Sequence, residues 1–570
     1  MSQESDRSGL NLILPEAEHY GILKEKDTKK TRSILSFHRH IWERMSTFGK
    51  PETELPAYDP QLHGPLVKFE LPSGYREIER YWVNEPYSFV CILEKSSIFS
   101  YHVIEPALTL YERDILERIY DDLRDILSLG GISSRKNKEH VLVRQTLSLL
   151  SRYHAKLEYS SIYRILYYLR RNFLGSDRIH SLMLDPNIED ISCDGVDIPL
   201  FLYHNEYRNI KTNISFGEEE LNSLVIKLCQ KSGKHISISE PMVDATLPDG
   251  SRLQATLGKE ITTRGSSFTI RKFRGDPITA IDLINYNTCS VEMVAYFWLA
   301  IENGNCAIFA GGTASGKTSM LNAVSLFIPP LSKVVSIEDT RELTLHHDNW
   351  IAGVTRKSLS AGSTGEVTMY DLLRSALRQR PEYILVGEIR GEEALTLFQA
   401  ISTGHATYST MHAGDVQTVV NRLDSPPLNV PHVMLQSLDI LSIQTQTFVK
   451  DKRVRRTHSI VEFTGIDAKT GHIRINELYR WDALTDTFKR SGDSYAINKI
   501  IQARGWDREK LDSELRTRER ILEYMWNKGM RDYVSLSLVV QAYAVNPELV
   551  LQAIDNHTLE EIIAQDSEGV

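Results

Sequence analysis

The period of apolar positions changes several times along the chain. Residues 1–50 are polar, include the charge run KEKDTKKTR (Lys24 to Arg32) and carry neither a strand nor a helix period, which reads as a flexible segment. From Tyr75 the stretch YREIERYWVNEPYSFVCILEK alternates as strands do, and LTLYERDILERIYDDLRDIL then spaces its apolar residues as a helix does; together they predict a small α+β domain over 51–155. A second α+β domain, 156–275, opens on the amphipathic stretch LEYSSIYRILYYLRRNFLG and continues in short alternating runs. In SRLQATL, Arg252, Gln254 and Thr256 share one strand face and Leu253, Ala255 and Leu257 the other. In SFTIRKF, Thr269 and Arg271 oppose Phe268 and Ile270, so both arginines project away from the apolar side. FRGDPITAIDL, with Gly275 and Pro277, reads as a linker over 276–285.

Beyond it, within 286–505, the apolar runs CAIFA, KVVSIE, EYILVG and ATYSTM alternate with helical stretches. Such alternation predicts a largely parallel sheet with helices on both faces, because parallel strands need crossover connections. Residues 506–570 read as a helical appendage whose Ile521, Leu522 and Met525 face the preceding domain.

Composition narrows this picture modestly. A chain of 570 residues exceeds what one core organises, which agrees with several domains. A net charge of −9 does not advertise a nucleic-acid partner. The N-terminus lacks the basic start and apolar stretch of a signal peptide, and no apolar run reaches 18 residues, so a cytoplasmic protein is expected, with membrane association only through partners. Cys91, Cys193, Cys229, Cys289 and Cys306 are scattered and form no C-x-x-C pair. They read as reduced, buried residues, with no structural zinc.

The chemistry concentrates in IFAGGTASGKTSM. A strand leads into Gly311, Gly312, Thr313, Ala314, Ser315, Gly316, Lys317, Thr318 and Ser319, and a helical stretch follows. Glycines at these positions let successive backbone N–H groups curl round phosphates at a helix N-terminus, Lys317 is placed to reach the β- and γ-phosphates, and the Thr318 hydroxyl to hold Mg²⁺. Three further segments carry charge at strand ends: Glu338, Asp339 and Glu342 in VVSIEDTREL, Glu388 and Arg390 in YILVGEIRGEE, and His405 and His412 around ATYSTM. In an open parallel sheet ligands collect at the carboxyl ends of strands, where all three sets are expected.

In order and spacing, GGTASGKT, SIEDTREL, RPEYILVGEIRGEEA and STGHATYSTMHA resemble the Walker A, Asp box, Walker B and His box of the type II/type IV secretion ATPases, hexameric motors for secretion, pili and archaella. LPDGSRLQATLG, TRGSSFTIRKF and HHDNWIAGVTR look most like the archaeal branch, particularly the archaellum motor, and the resemblance runs from about residue 60 to 560. It implies an α/β protein: a RecA-like P-loop motor domain with a largely parallel sheet, preceded by smaller α+β domains.

It also implies roles. Glu388 matches the Walker B glutamate, follows Gly387 where other P-loop enzymes carry aspartate, and would hold Mg²⁺ with Thr318, directly or through water. Glu338 matches the Asp-box glutamate, and the sequence does not choose between Glu338 and Glu388 as the group that polarises water. His405 and His412 match residues that contact γ-phosphate or relay its loss. Arg252, Arg264 and Arg271 match arginines presented to the nucleotide, where guanidinium groups stabilise transferring phosphoryl charge. Two departures stand out: the chain lacks the four-cysteine zinc insert of many bacterial members, and it lacks the AIRNLIRE-type signature of retraction motors.

The implied protein is a homohexamer using ATP and Mg²⁺, cytoplasmic and peripheral at the inner face of the cell membrane, acting on a polytopic membrane platform protein without nucleic acid. Archaellum, pilus and secretion roles share this chemistry. A nucleotide-gated scaffold and a DNA-transfer ATPase are the alternatives.

Overall fold

In the computed structural model, residues 55–126, 135–273, 275, 277–356, 365–450, 452–467, 472–561 and 563 are described. The polar segment expected at 1–50 lies outside them. Among the described residues, 55–73, 80–90 and 104–180 cluster as one unit, and 74–79, 91–103 and everything from Ser181 onward as another.

In the first unit, three helices bury aliphatic stripes spaced four or so residues apart. Leu110–Ile126 contributes Ile115, Ile119 and Leu123, Arg135–Arg152 contributes Leu142 and Leu149, and Tyr159–Leu169 contributes Ile165 and Leu169. Buried Glu112 accepts from the Thr109 N–H at 2.7 Å and pairs with Arg164 at 2.5 Å, fastening the first helix to the third. The helix Tyr159–Leu169, expected to open the second α+β domain at 156, therefore belongs with the preceding helices, and the break falls near residue 180 instead of 155.

Three successive strands, β1 (Arg76–Asn84), β2 (Ser88–Lys95) and β3 (Ile98–Ile104), precede those helices. From β3 a sheet continues through β4 (Ile188–Cys193), β5 (Phe201–His204), β6 (Arg208–Thr212), β7 (Met242–Thr246), β8 (Arg252–Thr256) and β9 (Ser267–Arg271), in the order β3-β6-β5-β4-β9-β8-β7. The β8–β9 hairpin pairs Arg252 with Arg271 at its open end and Thr256 with Ser267 at its turn. Leu253, Ala255, Phe268 and Ile270 are buried, as the alternation predicts, so the two arginines face outward.

The second sheet comprises β10 (Ala307–Gly311), β11 (Val334–Glu338), β12 (Trp350–Val354), β13 (Tyr383–Val386), β14 (Ala406–Met411), β15 (Ile440–Val449), β16 (Lys452–Ile466), β17 (Ile473–Asp482) and β18 (Thr487–Arg490). Its order is β12-β11-β13-β14-β10-β15-β16-β17-β18. The strands from β12 through β15 run parallel, and β10, which leads into the glycine-rich loop, sits between β14 and β15 in the RecA-like manner. Strands β10, β11, β13 and β14 are buried along their whole length, as expected of strands with helices on both faces. From β15 to β18 the pairing turns antiparallel, because short turns replace the crossovers.

Both edges of this domain join its core. The helix Ala280–Asn285, inside the expected linker 276–285, starts at a capping box between Thr279 and Asp282 and buries Ala280, Ile281, Leu283 and Ile284 in the motor core. The helices Arg508–Lys528, Tyr533–Val545 and Pro547–Asp555 likewise bury Leu511, Ile521, Leu522, Met525, Val539 and Val550 in that same core, which makes them an integral layer of the domain. Arg508–Lys528 and Tyr533–Val545 meet Val291–Glu302, a helix whose residues Met293 to Ile301 are all buried. All five cysteines are free and buried, and no helix among the described residues is long and apolar enough to cross a membrane.

Arg518, 1% exposed, fixes this layer: it donates to Glu302 at 2.6 Å and Glu514 at 2.7 Å, with its guanidinium over Trp298 and Tyr543. Breaking a buried pair from one side leaves charge uncompensated, so Arg518→Ala is expected to cost about 3–5 kcal/mol. Arg518→Met, which keeps the aliphatic stem, should cost less. Urea unfolding midpoints measure both, and an unshifted midpoint for Arg518→Ala would remove Arg518 as the anchor.

Candidate active site

Strand β10 delivers the chain into a loop folded back on itself. A Cβ on Gly311 would lie 2.4 Å from both the Gln444 carbonyl oxygen of β15 and Ser315 Oγ, so only glycine fits there. Ser315 Oγ and Lys317 Nζ both donate to the Gly312 carbonyl, at 2.9 and 2.8 Å. The helix Lys317–Ser325 begins at Gly316, whose φ of 93° is left-handed. Ala314 also adopts positive φ, 57°, a conformation costing roughly 1 kcal/mol for a residue with a Cβ. Thr318 and Ser319 lie half-buried in the first helical turn. Burial pulls the Lys317 ammonium below its ordinary pKa, and the charge of Glu388 opposes that pull.

Glu338 closes β11 and is 2% exposed. Its Oε1 accepts the backbone N–H groups of Glu342 and Leu343 at 2.8 and 2.9 Å, whereas Oε2 is buried with no protein partner. Desolvation dominates these two bonds and pushes the carboxyl up to about 7. Gly387 now has a reason: a Cβ there would stand 3.2 Å from Glu338 Cγ, so a side chain at 387 would press on the buried glutamate. Glu388, the next residue, is 24% exposed and accepts from Arg390 at 2.5 Å, while the other arm of Arg390 reaches Asp339 at 3.4 Å. The two glutamates thus sit in opposite environments, one dry and partly unpaired, the other wet and matched to a guanidinium.

His412, just past β14, meets Thr313 of the loop at 2.9 Å, and its backbone carbonyl accepts from Arg422. His405 precedes β14. Its carbonyl lies 3.5 Å from Cys306 Sγ, immediately before β10, and its ring contacts Thr403 and the Ala400 carbonyl. Since β14 runs parallel to β10, His405 occupies the opposite edge of the sheet, about 20 Å of strand away from the loop. The expectation that both histidines meet at the carboxyl edge is corrected to His412 alone.

The arginines divide similarly. Arg252 approaches Glu342 at 3.6 Å, and the charge of Arg271 acts on Lys317. Arg264 stands in the turn of the β8–β9 hairpin, roughly 13 Å along the strands from that pair, its carbonyl accepting from Val196 N–H at 2.9 Å. Within this chain the structure brings Arg252 and Arg271, and not Arg264, toward the loop. Arg455 on β16 is a contact that sequence reasoning missed: its Nε donates to the Ala314 carbonyl at 2.9 Å. Its only signal, the basic run KRVRR, cannot be told from a solvated strand face.

A glycine cradle that a Cβ would fill, a partly buried ammonium, a hydroxyl at the helix start and an exposed glutamate beside it make a donor set suited to a phosphate chain with a hard cation. Among the described residues no group of three or more His, Cys, Asp or Glu side chains gathers as a metal-binding set.

The type II/IV secretion system protein family matches residues 211–537, from the end of β6 into the helix Tyr533–Val545. The chain belongs to this family. A PilB3-like N-terminal family matches residues 36–107, so similarity begins before residue 60. Within the family the chain is 37% identical over 385 residues to the uncharacterized protein MJ0900 of Methanocaldococcus jannaschii, covering 67% of this chain and 69% of that protein. It is 48% identical over 241 residues to MJ1287 of the same organism, covering 42% and 89%. It is 32% identical over 230 residues to the type IV secretion system protein PtlH homolog of Bordetella bronchiseptica, covering 36% and 67%.

The raised Glu338 carboxyl has a pH consequence. Between the ordinary value of 4.5 and about 7 the folded chain keeps a proton that the unfolded chain has released, so the stability tied to this group is full below pH 4.5 and is lost as pH rises through 7. Glu338→Gln keeps an acceptor for the two N–H groups and cannot ionise. It is expected to exceed the wild type in stability at pH 8 by up to about 3 kcal/mol, with the gap closing toward pH 5. Urea midpoints of both proteins from pH 5 to 8 give the comparison, and a gap that stays constant with pH contradicts it.

Proposed function

We propose that the chain is an ATP-hydrolysing motor subunit that works as a homohexamer to power assembly or rotation of an archaeal type IV pilus-like filament, the archaellum or a related pilus, or the kindred type II/IV secretion. The observation that carries this reading is the convergence of Lys317, Glu338, Glu388 and His412 on one edge of the motor sheet, with Arg252 of the preceding sheet paired to Glu342 on the loop that also caps Glu338. Family membership and relatives in an archaeon support the filament or secretion context.

The loop N–H groups and Lys317 would hold the triphosphate, while Thr318 and Glu388, the latter directly or through water, would hold Mg²⁺, whose charge would offset that of the phosphate oxygens. Glu338, dry and close to neutral at rest, accepts a proton from the attacking water once ionised, so turnover should fall as pH drops below about 7. Arg390 must release Glu388 for that glutamate to face the cation. Arg252 and Arg271 balance phosphoryl charge, and loss of the γ-phosphate loosens their hold on the motor domain. Staggered closures around a ring would then drive a polytopic membrane platform protein from its cytoplasmic side.

Steady-state ATP hydrolysis by wild type and Glu388→Gln, with light scattering on both in ATP and Mg²⁺, tests this. The variant is expected to lose at least about 100-fold in kcat while both forms become hexamers. Hexamers that bind ATP without turnover in the wild type would move the assignment to a nucleotide-gated scaffold.

A further inference from the structure

Arg455 is a long cation from outside the phosphate loop that bonds the loop's own backbone, as Lys317 does from within it. It lies opposite Gln446 on β15, and β15 pairs with β10, which places it beside the loop from the far side of the sheet from Glu338. Nε bonds the Ala314 carbonyl, its Cδ lies 3.4 Å from where a Cβ on Gly316 would be, and its other arm stands 4.0 Å from Glu189 of β4. The neighbouring Arg453 carbonyl accepts from Arg208 of β6 at 3.4 Å, so the β15–β16 hairpin meets the preceding sheet at two points.

Ala314 is the only residue from Gly311 to Lys317 that has a Cβ and a positive φ. Left alone, that peptide gains by relaxing out of the left-handed region, and relaxation turns the adjoining N–H groups away from the phosphate position. A guanidinium fixed on the Ala314 carbonyl opposes this. The side chain is only about two-thirds covered, and water can replace a single exposed bond, so the effect is moderate.

We propose that Arg455 is a positioning residue for nucleotide binding. It holds the strained Ala314 peptide so that the loop is preformed, and Glu189 keeps the guanidinium aimed at it. This rests on the nucleotide reading above, and it concerns affinity and not the chemical step.

Fluorescent ATP-analogue titration and steady-state kinetics on the full-length protein separate the two. Arg455→Gln is expected to weaken nucleotide binding about 5- to 10-fold and raise KM in step, with kcat within about twofold of wild type. Arg455→Lys, which can reach one partner but not both, should fall between. The deciding variant is Ala314→Gly: glycine carries no left-handed penalty, so added to Arg455→Gln it should recover at least half of the lost affinity.

Unchanged binding in Arg455→Gln, a loss confined to kcat, or a loss that Ala314→Gly does not relieve would each overturn the proposal. Thermal unfolding without nucleotide checks that the variants fold, and Arg455→Lys carries the comparison if Arg455→Gln does not. A wild type that binds no nucleotide would instead remove the ATPase reading, which is a separate outcome.

Discussion

Parallel strands all end at the same edge, and the candidate site depends on that constraint. The carboxyl ends of β10, β11, β13 and β14 deliver the glycine-rich loop, Glu338, Glu388 and His412, although more than a hundred residues separate the first Gly of the loop from the last imidazole along the chain. No contact between these side chains is needed to assemble them, because the strand register does so. The same geometry decides against His405, which is held at the other edge by the same strand that delivers His412.

Assembly at one edge brings electrostatic costs that the surroundings answer in different ways. Glu338 is buried deeply enough that its two backbone donors do not restore an ordinary carboxyl, and Gly387 leaves it the room it occupies. Glu388 stays wet and finds Arg390. One buried acid with a raised carboxyl and one matched by a cation place the same residue type in two environments at neighbouring strand ends. The outward Arg252 of the β8–β9 hairpin adds positive charge beside the Glu342 carboxylate.

Much of this was legible in the sequence because its signals are local. The phosphate loop announces itself through glycine spacing, the buried strands through unbroken apolar runs, and the β8–β9 faces through alternation. What was not legible depends on pairing between distant segments. HATYSTMH reads as one cluster because its two histidines are close in sequence, yet a fully extended six-residue strand lies between them. Gly275 and Pro277 punctuate the chain as a linker would, but the Thr279–Asp282 capping box just after them was the better guide to a helix in the core. The helix Tyr159–Leu169 carries an apolar face whose partner no local pattern names. Arg455 was invisible because its role is set by the register of β16 against β15 and β10.

The layer fixed by Arg518 bears on how the chain comes off the ribosome. Glu302 and Arg518 are 216 residues apart, and the apolar helix Val291–Glu302 is synthesised long before the helices that cover it. Until Arg508–Lys528 and Tyr533–Val545 emerge, one face of the motor domain has nothing to pack against. The domain thus closes late, through contacts of high sequence separation, and the nascent chain carries an uncovered apolar face while it grows by the 216 residues from Glu302 to Arg518.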